Sequence, residues 1–128
     1  MSHSVYKYST PSCSAEKSFI FGVEKGKYFN DKQRVVGREV SCEYGRVDLL
    51  LTDWVVELKE SNQWKQGIGQ LIVYGMCWPK KRLWLHIYQL GLMRKPWKYI
   101  KKIESVCREL LIRVSFGDEI EEYRELYG

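Results

Sequence analysis

The chain has 128 residues, of which 45% are hydrophobic and 29% are charged, and its formal net charge is +5 at pH 7. A chain of this length buries one hydrophobic core but not comfortably two, so we predict a single domain over residues 1–128 with a core of about residues 15–116. The apolar runs are too short to span a bilayer and the N-terminus lacks the apolar region of a signal peptide. We therefore expect a soluble, intracellular protein with no membrane partner.

The N-terminal residues 1–14 are polar and include Pro11, and they predict either an arm or an added strand. A helical face follows, because Glu16, Phe19 and Val23 recur at helical spacing. An acid is thereby placed at the start of the predicted core.

Two β-prone apolar runs flank Thr52 and Asp53 and predict a β-hairpin. Its first strand is predicted over residues 40–51. The turn would return Glu57 towards Asp48, so two carboxylates would meet at one place on the hairpin.

Lys59 would join these carboxylates, because residues two apart in a strand point to the same face and Glu57 lies two residues before it. Mg²⁺ prefers oxygen ligands, and two carboxylates with substrate phosphate oxygens suit it, while a lysine ammonium positions or activates water. This set favours metal-assisted phosphodiester hydrolysis. A hairpin with merely polar ends is the alternative explanation of the short Glu-x-Lys motif.

A helix packed on the hairpin is predicted over residues 61–78, with Ser61 and Asn62 as candidate N-caps. Its apolar face carries Trp64, Ile68, Leu71 and Gly75, and its polar face carries Gln63, Gly67, Gln70 and Tyr74. Each helical glycine costs about 1 kcal/mol relative to alanine. The glycines Gly67, Gly69 and Gly75 therefore indicate close backbone approach to a ligand or to the sheet, or ordinary helix–sheet packing.

The order Asp48, then Glu57-Leu58-Lys59, then Gln70-Leu71-Ile72-Val73-Tyr74 resembles the PD-(D/E)XK nuclease superfamily. The resemblance covers roughly residues 15–116. It implies an α/β fold with a restriction-endonuclease-like αβββαβ core, in which helices flank a central mixed β-sheet. The Gln-x-x-x-Tyr signature resembles the branch that includes RecB-type, Cas4-type and lambda-type exonucleases.

The resemblance also implies roles for individual residues. Lys59 would act on the attacking water, and Gln70 and Tyr74 would contact metal-bound water or the DNA backbone. One or two Mg²⁺ ions, for which Mn²⁺ would substitute, would be bound by Asp48, Glu57 and the Leu58 carbonyl.

Two features depart from the superfamily pattern. Val47 stands where the superfamily often has proline, before Asp48. The superfamily also places a glutamate on the first helix, and Glu16 and Glu24 are both candidates. Glu16 is preferred for this catalytic role, because Glu24 lies among glycines.

Residues 61–103 hold nine lysines and arginines and no acid. This stretch predicts a phosphate-binding surface. The predicted DNA-binding residues are Tyr74, Arg46, Gln63, Lys65, Lys80, Lys81 and Arg82.

The remaining segments complete the architecture with a strand over residues 82–90, a helix over 96–110 and a strand over 111–116. The helix is predicted to turn Ile100, Ile103, Cys107 and Leu110 inwards. Residues 117–128 hold five acids against one arginine. They predict a short helix that covers the sheet edge, or a tail that competes with DNA.

The four cysteines are spaced too widely for a zinc site and are predicted to be buried and reduced. His86 lies in an apolar strand and is predicted to be a structural residue with a hydrogen-bond partner. Neither residue type adds a second catalytic centre.

The predicted function is a Mg²⁺-dependent deoxyribonuclease, either an endonuclease or an end-dependent exonuclease. A homodimer or higher homo-oligomer fits a domain of this size. DNA is favoured over RNA by analogy with the superfamily alone. A non-catalytic nucleic-acid-binding module on the same fold is the alternative.

Overall fold

The structure, a computed structural model, describes residues 13–91 and 96–127. The first helix and three strands are followed by a short 3₁₀ turn, and the remaining helices and strands then alternate. In chain order they are α1 (Cys13–Lys25), β1 (Val35–Cys42), β2 (Gly45–Leu51), β3 (Trp54–Glu60), a 3₁₀ turn (Ser61–Gln63), α2 (Trp64–Gly75), β4 (Arg82–Gln89), α3 (Pro96–Glu109), β5 (Ile112–Phe116) and α4 (Asp118–Tyr127).

The five strands form one mixed sheet in the order β1-β2-β3-β4-β5. The first three pair antiparallel, as short turns allow, whereas β3, β4 and β5 pair in parallel and are joined by helices. The predicted α/β class and the mixed sheet flanked by helices are therefore confirmed. Within the described ranges, no helix combines the length and the apolar character needed to cross a bilayer.

The core is divided between the two faces of the sheet. On one face α1 packs Phe19 and Val23 against Leu49, Val56 and Leu58. On the other face α2, α3 and α4 contribute apolar side chains to a second cluster. This second cluster includes Ile68, Leu71, Ile100, Ile103, Cys107, Ile120, Leu85 and Ile87. A sheet covered on both faces explains why its central strands are almost continuously apolar.

Two predicted boundaries were wrong. Residues 40–51 do not form one strand, because Glu43 and Tyr44 make a turn between β1 and β2. The helix predicted over residues 61–78 begins at Trp64 and ends at Gly75. Ser61 does not cap it, since the Ser61 hydroxyl donates to the Leu90 carbonyl instead.

The C-terminal half follows the prediction closely, with one correction in α3. Leu110 was predicted to face inwards, but it follows the last residue of α3 and is exposed. The acidic segment forms α4, so the prediction of a helix is confirmed, and α4 buries Ile120 in the cluster on one face of the sheet. The predicted arm falls largely on residues 1–12, which lie outside the described residues.

The cysteine prediction was only partly right. Cys107 is buried, whereas Cys42 and Cys77 are only partly buried, and all three are free thiols. The side chain of Cys13 is outside the described part of the structure.

Candidate active site

The site lies where β2 and β3 separate. Their ladder pairs Leu49 with Val56 and does not continue to Asp48. Beyond this point the Asp48 amide donates to Glu57 Oε2 at 2.8 Å, and the Leu58 amide donates to Asp48 Oδ2 at 2.8 Å. Two carboxylates therefore replace strand-to-strand hydrogen bonds, and the predicted convergence of Asp48 and Glu57 is confirmed.

Each carboxylate keeps a second oxygen for another partner. Asp48 Oδ1 accepts no hydrogen bond from the described residues, and Glu57 Oε1 lies 3.8 Å from Lys59 Nζ. The Leu58 carbonyl is on the same strand edge as its amide and so faces the same gap. Three oxygens of the kind that Mg²⁺ prefers thus border the place where the strands part.

The described protein side chains do not form a metal site by themselves. Among residues 13–91 and 96–127, no group of three or more His, Cys, Asp or Glu side chains is placed to hold a metal ion. The donor set fits Mg²⁺ nevertheless, because Mg²⁺ is commonly bound by one or two carboxylates, with waters and substrate oxygens completing its shell.

Burial sets the protonation of the pair. Loss of solvation raises the pKa of Asp48 to about 6 and the pKa of Glu57 to about 8, and the Asp48 charge adds to the rise at Glu57. The nearby Lys59 ammonium opposes both rises. The metal-free pair consequently retains a proton near neutral pH, and a bound cation would favour its release.

Lys59 is enclosed by the helix that crosses it. Its side chain is 1% exposed, and a Cβ added at Gly67 of α2 would lie 2.9 Å from Lys59 Cγ and 2.7 Å from Leu85 Cδ1. Gly67 therefore allows α2 to approach the strand closely. Gly75 does the same against Leu83, whereas a Cβ at Gly69 would meet nothing within 4 Å.

The glutamine and tyrosine of the Gln-x-x-x-Tyr signature lie beside the same pair. Gln70 hydrogen-bonds Tyr74, yet the buried Gln70 Oε1 has no hydrogen-bond partner among the described residues. Burial and the charge of Glu57 raise the pKa of Tyr74. An orphaned acceptor is rare in a folded protein, so the space beside Gln70 suits a water or another hydrogen-bond donor.

Of the two acids considered on the first helix, Glu16 lies near the site. It is 9% exposed and its charge contributes to the raised pKa of Asp48, while Glu24 is exposed. Glu16 Oε1 is paired with Arg38 of β1, a residue that the sequence did not indicate. The two residues are 22 positions apart, and only the docking of α1 on the sheet brings them together.

The predicted DNA-binding residues are divided between two places. Arg46, on β2, is half-exposed and lies 3.9 Å from Glu39 of β1, whose positive φ of 47° is unusual for a non-glycine residue. Gln63 and Lys65 lie at the start of α2, where Lys65 is exposed.

The other three lie at the opposite end of the hairpin, near the β2–β3 turn. Lys80 is exposed there, Lys81 donates to the carbonyls of Leu51 and Thr52, and Arg82 lies 4.3 Å from the Trp54 ring. The structure does not bring these three residues to the carboxylate pair.

His86 is a structural residue, as predicted. It is buried among aromatic rings, its Nδ1 lies 2.7 Å from Ser115 Oγ, and Trp84 Nε1 donates to the same hydroxyl. Burial lowers the pKa of His86 to about 3, so this ring is neutral in the folded protein.

Three putative KilA-N domain-containing proteins of Acanthamoeba polyphaga mimivirus are similar to this chain. One is 30% identical over 80 residues, or 62% of this chain and 30% of the relative. A second is 31% identical over 88 residues, or 61% and 23%, and a third is 33% identical over 52 residues, or 41% and 14%. The chain therefore spans less than a third of each relative's length. No protein-family model matches the chain, and no solved structure is significantly similar to it.

Proposed function

We propose that this protein is a metal-dependent DNA nuclease of the PD-(D/E)XK superfamily, which hydrolyses phosphodiester bonds at Asp48, Glu57 and Lys59. The observation that carries the proposal is the burial of Glu57 and Lys59 beside the partly buried Asp48, where β2 and β3 separate. Buried charges are costly to a fold, and strongly perturbed pKa values cluster at functional sites. The raised pKa values of both acids support catalysis more than a structural role.

Mg²⁺ is the proposed cofactor, with Mn²⁺ as a substitute. Asp48 Oδ1, Glu57 Oε1 and the Leu58 carbonyl are the protein groups that would hold it. When bound, the ion supplies Lewis-acid polarisation of the scissile phosphate and acidifies the attacking water. The metal should be exchangeable and removable by a chelator, because few protein atoms hold it.

The remaining side chains position the reactants. The Lys59 ammonium, fixed under α2, holds a water in line with the phosphate and offsets the negative charge of the carboxylates. Gln70 Oε1 accepts a hydrogen from that water, and the Tyr74 hydroxyl donates to a phosphate oxygen.

Support for a nucleic-acid substrate comes mainly from charge. The chain has a net charge of +5 although its last twelve residues hold five acids, so the rest is strongly basic. The three viral relatives are named for a KilA-N domain, and their names state no enzymatic activity. The case for catalysis therefore rests on the site itself.

A non-catalytic nucleic-acid-binding module is the second candidate. The observation in its favour is that the described residues contain no cluster of three metal-binding side chains. This candidate leaves the buried carboxylates without a purpose, since acids beside a phosphate weaken binding.

The decisive experiment incubates supercoiled circular, linear duplex and single-stranded DNA with the protein in Mg²⁺, Mn²⁺ or EDTA. The variants are Glu57→Gln and Lys59→Met, and Glu24→Gln is the matched control at an exposed acid. We expect cleavage that is lost in EDTA and in both site variants but kept in the control. Nicked circles would indicate an endonuclease, and loss of linear substrates alone would indicate digestion from ends. Folded protein that binds all three substrates and cleaves none would favour the binding module.

A further inference from the structure

Arg38 and Glu16 form an asymmetric ion pair next to the carboxylate site. Arg38 Nε and Nη2 both lie 2.5 Å from the same oxygen, Glu16 Oε1. The Glu16 side chain is 11% exposed, whereas the Arg38 side chain is 57% exposed. The acid is thus buried beneath a guanidinium that faces solvent.

The geometry leaves most of the guanidinium available. A guanidinium has five N–H groups in a rigid plane, and two of its nitrogens face Glu16. No other hydrogen bond or ion pair involves the Arg38 side chain within the described ranges. The remaining N–H groups can therefore meet an incoming acceptor without breaking the contact with Glu16.

Arg38 is also close to the reacting groups. It pairs with Leu49 across β1 and β2, and Leu49 directly follows Asp48. The charge of Glu16 contributes to the raised pKa of Asp48. The Arg38–Glu16 pair is therefore within electrostatic range of Asp48.

Two other arginines show what distinguishes Arg38. Arg113 also pairs with an acid, Asp31 at 2.8 Å, but its side chain is only 18% exposed and it lies 3.9 Å from the Trp54 ring. Arg46 is exposed but loosely held, at 3.9 Å from Glu39. Of the three, only Arg38 is both closely held and open to solvent.

We propose that Arg38 binds a backbone phosphate of the DNA beside the scissile one, and that Glu16 is the positioning residue that orients its guanidinium. This inference rests on the proposed function for its substrate class. A planar fork matches two phosphate oxygens, and a contact of this kind fixes the register of the strand without reading its sequence.

The test measures binding of a fluorescent 20-base-pair duplex in Mg²⁺ by full-length protein that carries Glu57→Gln, so that no cleavage intervenes. The added substitutions are Arg38→Lys and Glu16→Gln, and Arg108→Lys serves as the control at an exposed arginine of α3. We expect Arg38→Lys to weaken binding by about fivefold or more, since lysine keeps the charge but loses the fork. The control should bind as the parent does.

Glu16→Gln gives a test of sign. Removing a negative charge near DNA should tighten binding on charge alone, whereas loss of the positioning contact should weaken it. Weaker binding therefore supports the proposal, and tighter binding overturns it. Equal affinities for Arg38→Lys and Arg108→Lys would also overturn it. Thermal unfolding of each variant checks that the fold is retained, and Arg38→Gln replaces any variant that is unfolded.

Failure of this inference can be told apart from failure of the nuclease proposal. If the unmodified protein cleaves DNA and Arg38→Lys binds as the parent does, only the role proposed for Arg38 is refuted. If binding depends on Arg38 but the unmodified protein cleaves no DNA, the nuclease proposal is refuted and the phosphate contact of Arg38 is supported. If the protein binds no DNA at all, both proposals are refuted.

Discussion

Acidic side chains lie at both ends of the β2–β3 hairpin, and their partners differ. Asp53 belongs to the β2–β3 turn, and Asp31, from the loop before β1, joins it through Gln33. At the turn, the Gln33 amide donates to Asp31 and to Asp53 at 3.0 Å each, and Arg113 donates to Asp31 at 2.8 Å. At the open end, Asp48 and Glu57 accept one backbone hydrogen bond each.

The two ends therefore affect stability in opposite directions. Hydrogen bonds from Arg113 and Gln33 lower the pKa of Asp31, so its ionised form stabilises the fold. Burial raises the pKa values of Asp48 and Glu57, so their ionised forms destabilise it. Asp31 accepts side-chain hydrogen bonds from Gln33 and Arg113, whereas Asp48 and Glu57 each accept a single backbone hydrogen bond and keep an oxygen available to a cation.

The largest expected effect distinguishes the two ends by activity. Glu57→Gln should reduce Mg²⁺-dependent cleavage by about 10³-fold, because a neutral amide neither holds the cation nor stabilises the reacting charges as a carboxylate does. Asp53→Asn, at the turn, should change the rate less than about threefold. Initial rates of nicking of supercoiled DNA make the comparison. Similar losses in both variants would mean that the open end has no special role.

The change of stability with pH should have opposite signs at the two ends of the hairpin. Because their pKa values are raised in the fold, Asp48 and Glu57 contribute stability to the metal-free protein below the unfolded pKa of about 4, where both acids are protonated. This contribution is lost as the pH rises through the folded pKa values of about 6 and about 8. Glu57→Gln should therefore become more stable than the parent by a few kcal/mol as the pH rises from 5 to 8.5.

Asp31 should show the reverse. Its pKa is lowered, so its contribution is present above the unfolded pKa of about 4 and is lost as the pH falls through the folded value. Urea unfolding of the parent, Glu57→Gln and Asp31→Asn in EDTA measures both effects. A stability difference for Glu57→Gln that does not change with pH would contradict the assignment of a raised pKa to the pair.

At the turn, Arg113 is the residue whose loss should destabilise the fold most. It donates to Asp31 and its guanidinium lies 3.9 Å from the Trp54 ring and 4.4 Å from the Phe29 ring. Arg113→Ala should lower the free energy of unfolding by about 3 kcal/mol, through the lost charged hydrogen bond and the lost stacking. Arg108→Ala is the exposed control and should change it by less than about 0.5 kcal/mol. Equal effects would show that the turn cluster contributes no specific stability.

The smallest effects concern α2, which covers the open end. Gly67→Ala should cost about 2 kcal/mol, since its Cβ would meet Lys59 and Leu85, and should also slow cleavage by displacing Lys59. Gly69→Ala should instead stabilise the protein by up to about 1 kcal/mol, because its Cβ meets nothing. Thermal unfolding and cleavage rates of the two variants test the contrast. Destabilisation by Gly69→Ala, or none by Gly67→Ala, would refute the packing described for α2.

Much of this fold was accessible from local patterns. The hairpin followed from apolar runs that flank Thr52 and Asp53, and the period-2 rule correctly placed Lys59 with Glu57. The start of α2 was missed because Ser61 hydrogen-bonds a carbonyl of a distant loop rather than its own helix. The turn at Glu43 and Tyr44 was missed although Gly45, which directly follows it and has a positive φ, is a turn signal in the sequence.

The long-range features could not be read from the sequence. The contact of Arg38 with Glu16 depends on how α1 docks on the sheet, and the bonds of Lys81 to the carbonyls of Leu51 and Thr52 depend on the return of the chain from α2. A run of basic residues predicted one phosphate-binding surface, yet Lys65 lies at the start of α2 whereas Lys80, Lys81 and Arg82 lie near the β2–β3 turn. The sequence showed that these residues are basic but not where the fold places them.

The left-handed backbone at Glu39 has a consequence for assembly. Among the described strands β1 lies at the edge of the sheet, and its pairing with β2 is irregular between Val35 and Gly37. A bulge and a residue with positive φ turn the unpaired amides and carbonyls of an edge out of line. A neighbouring molecule thus finds no straight row of hydrogen-bonding groups along β1, and this edge is protected against the strand addition that begins aggregation.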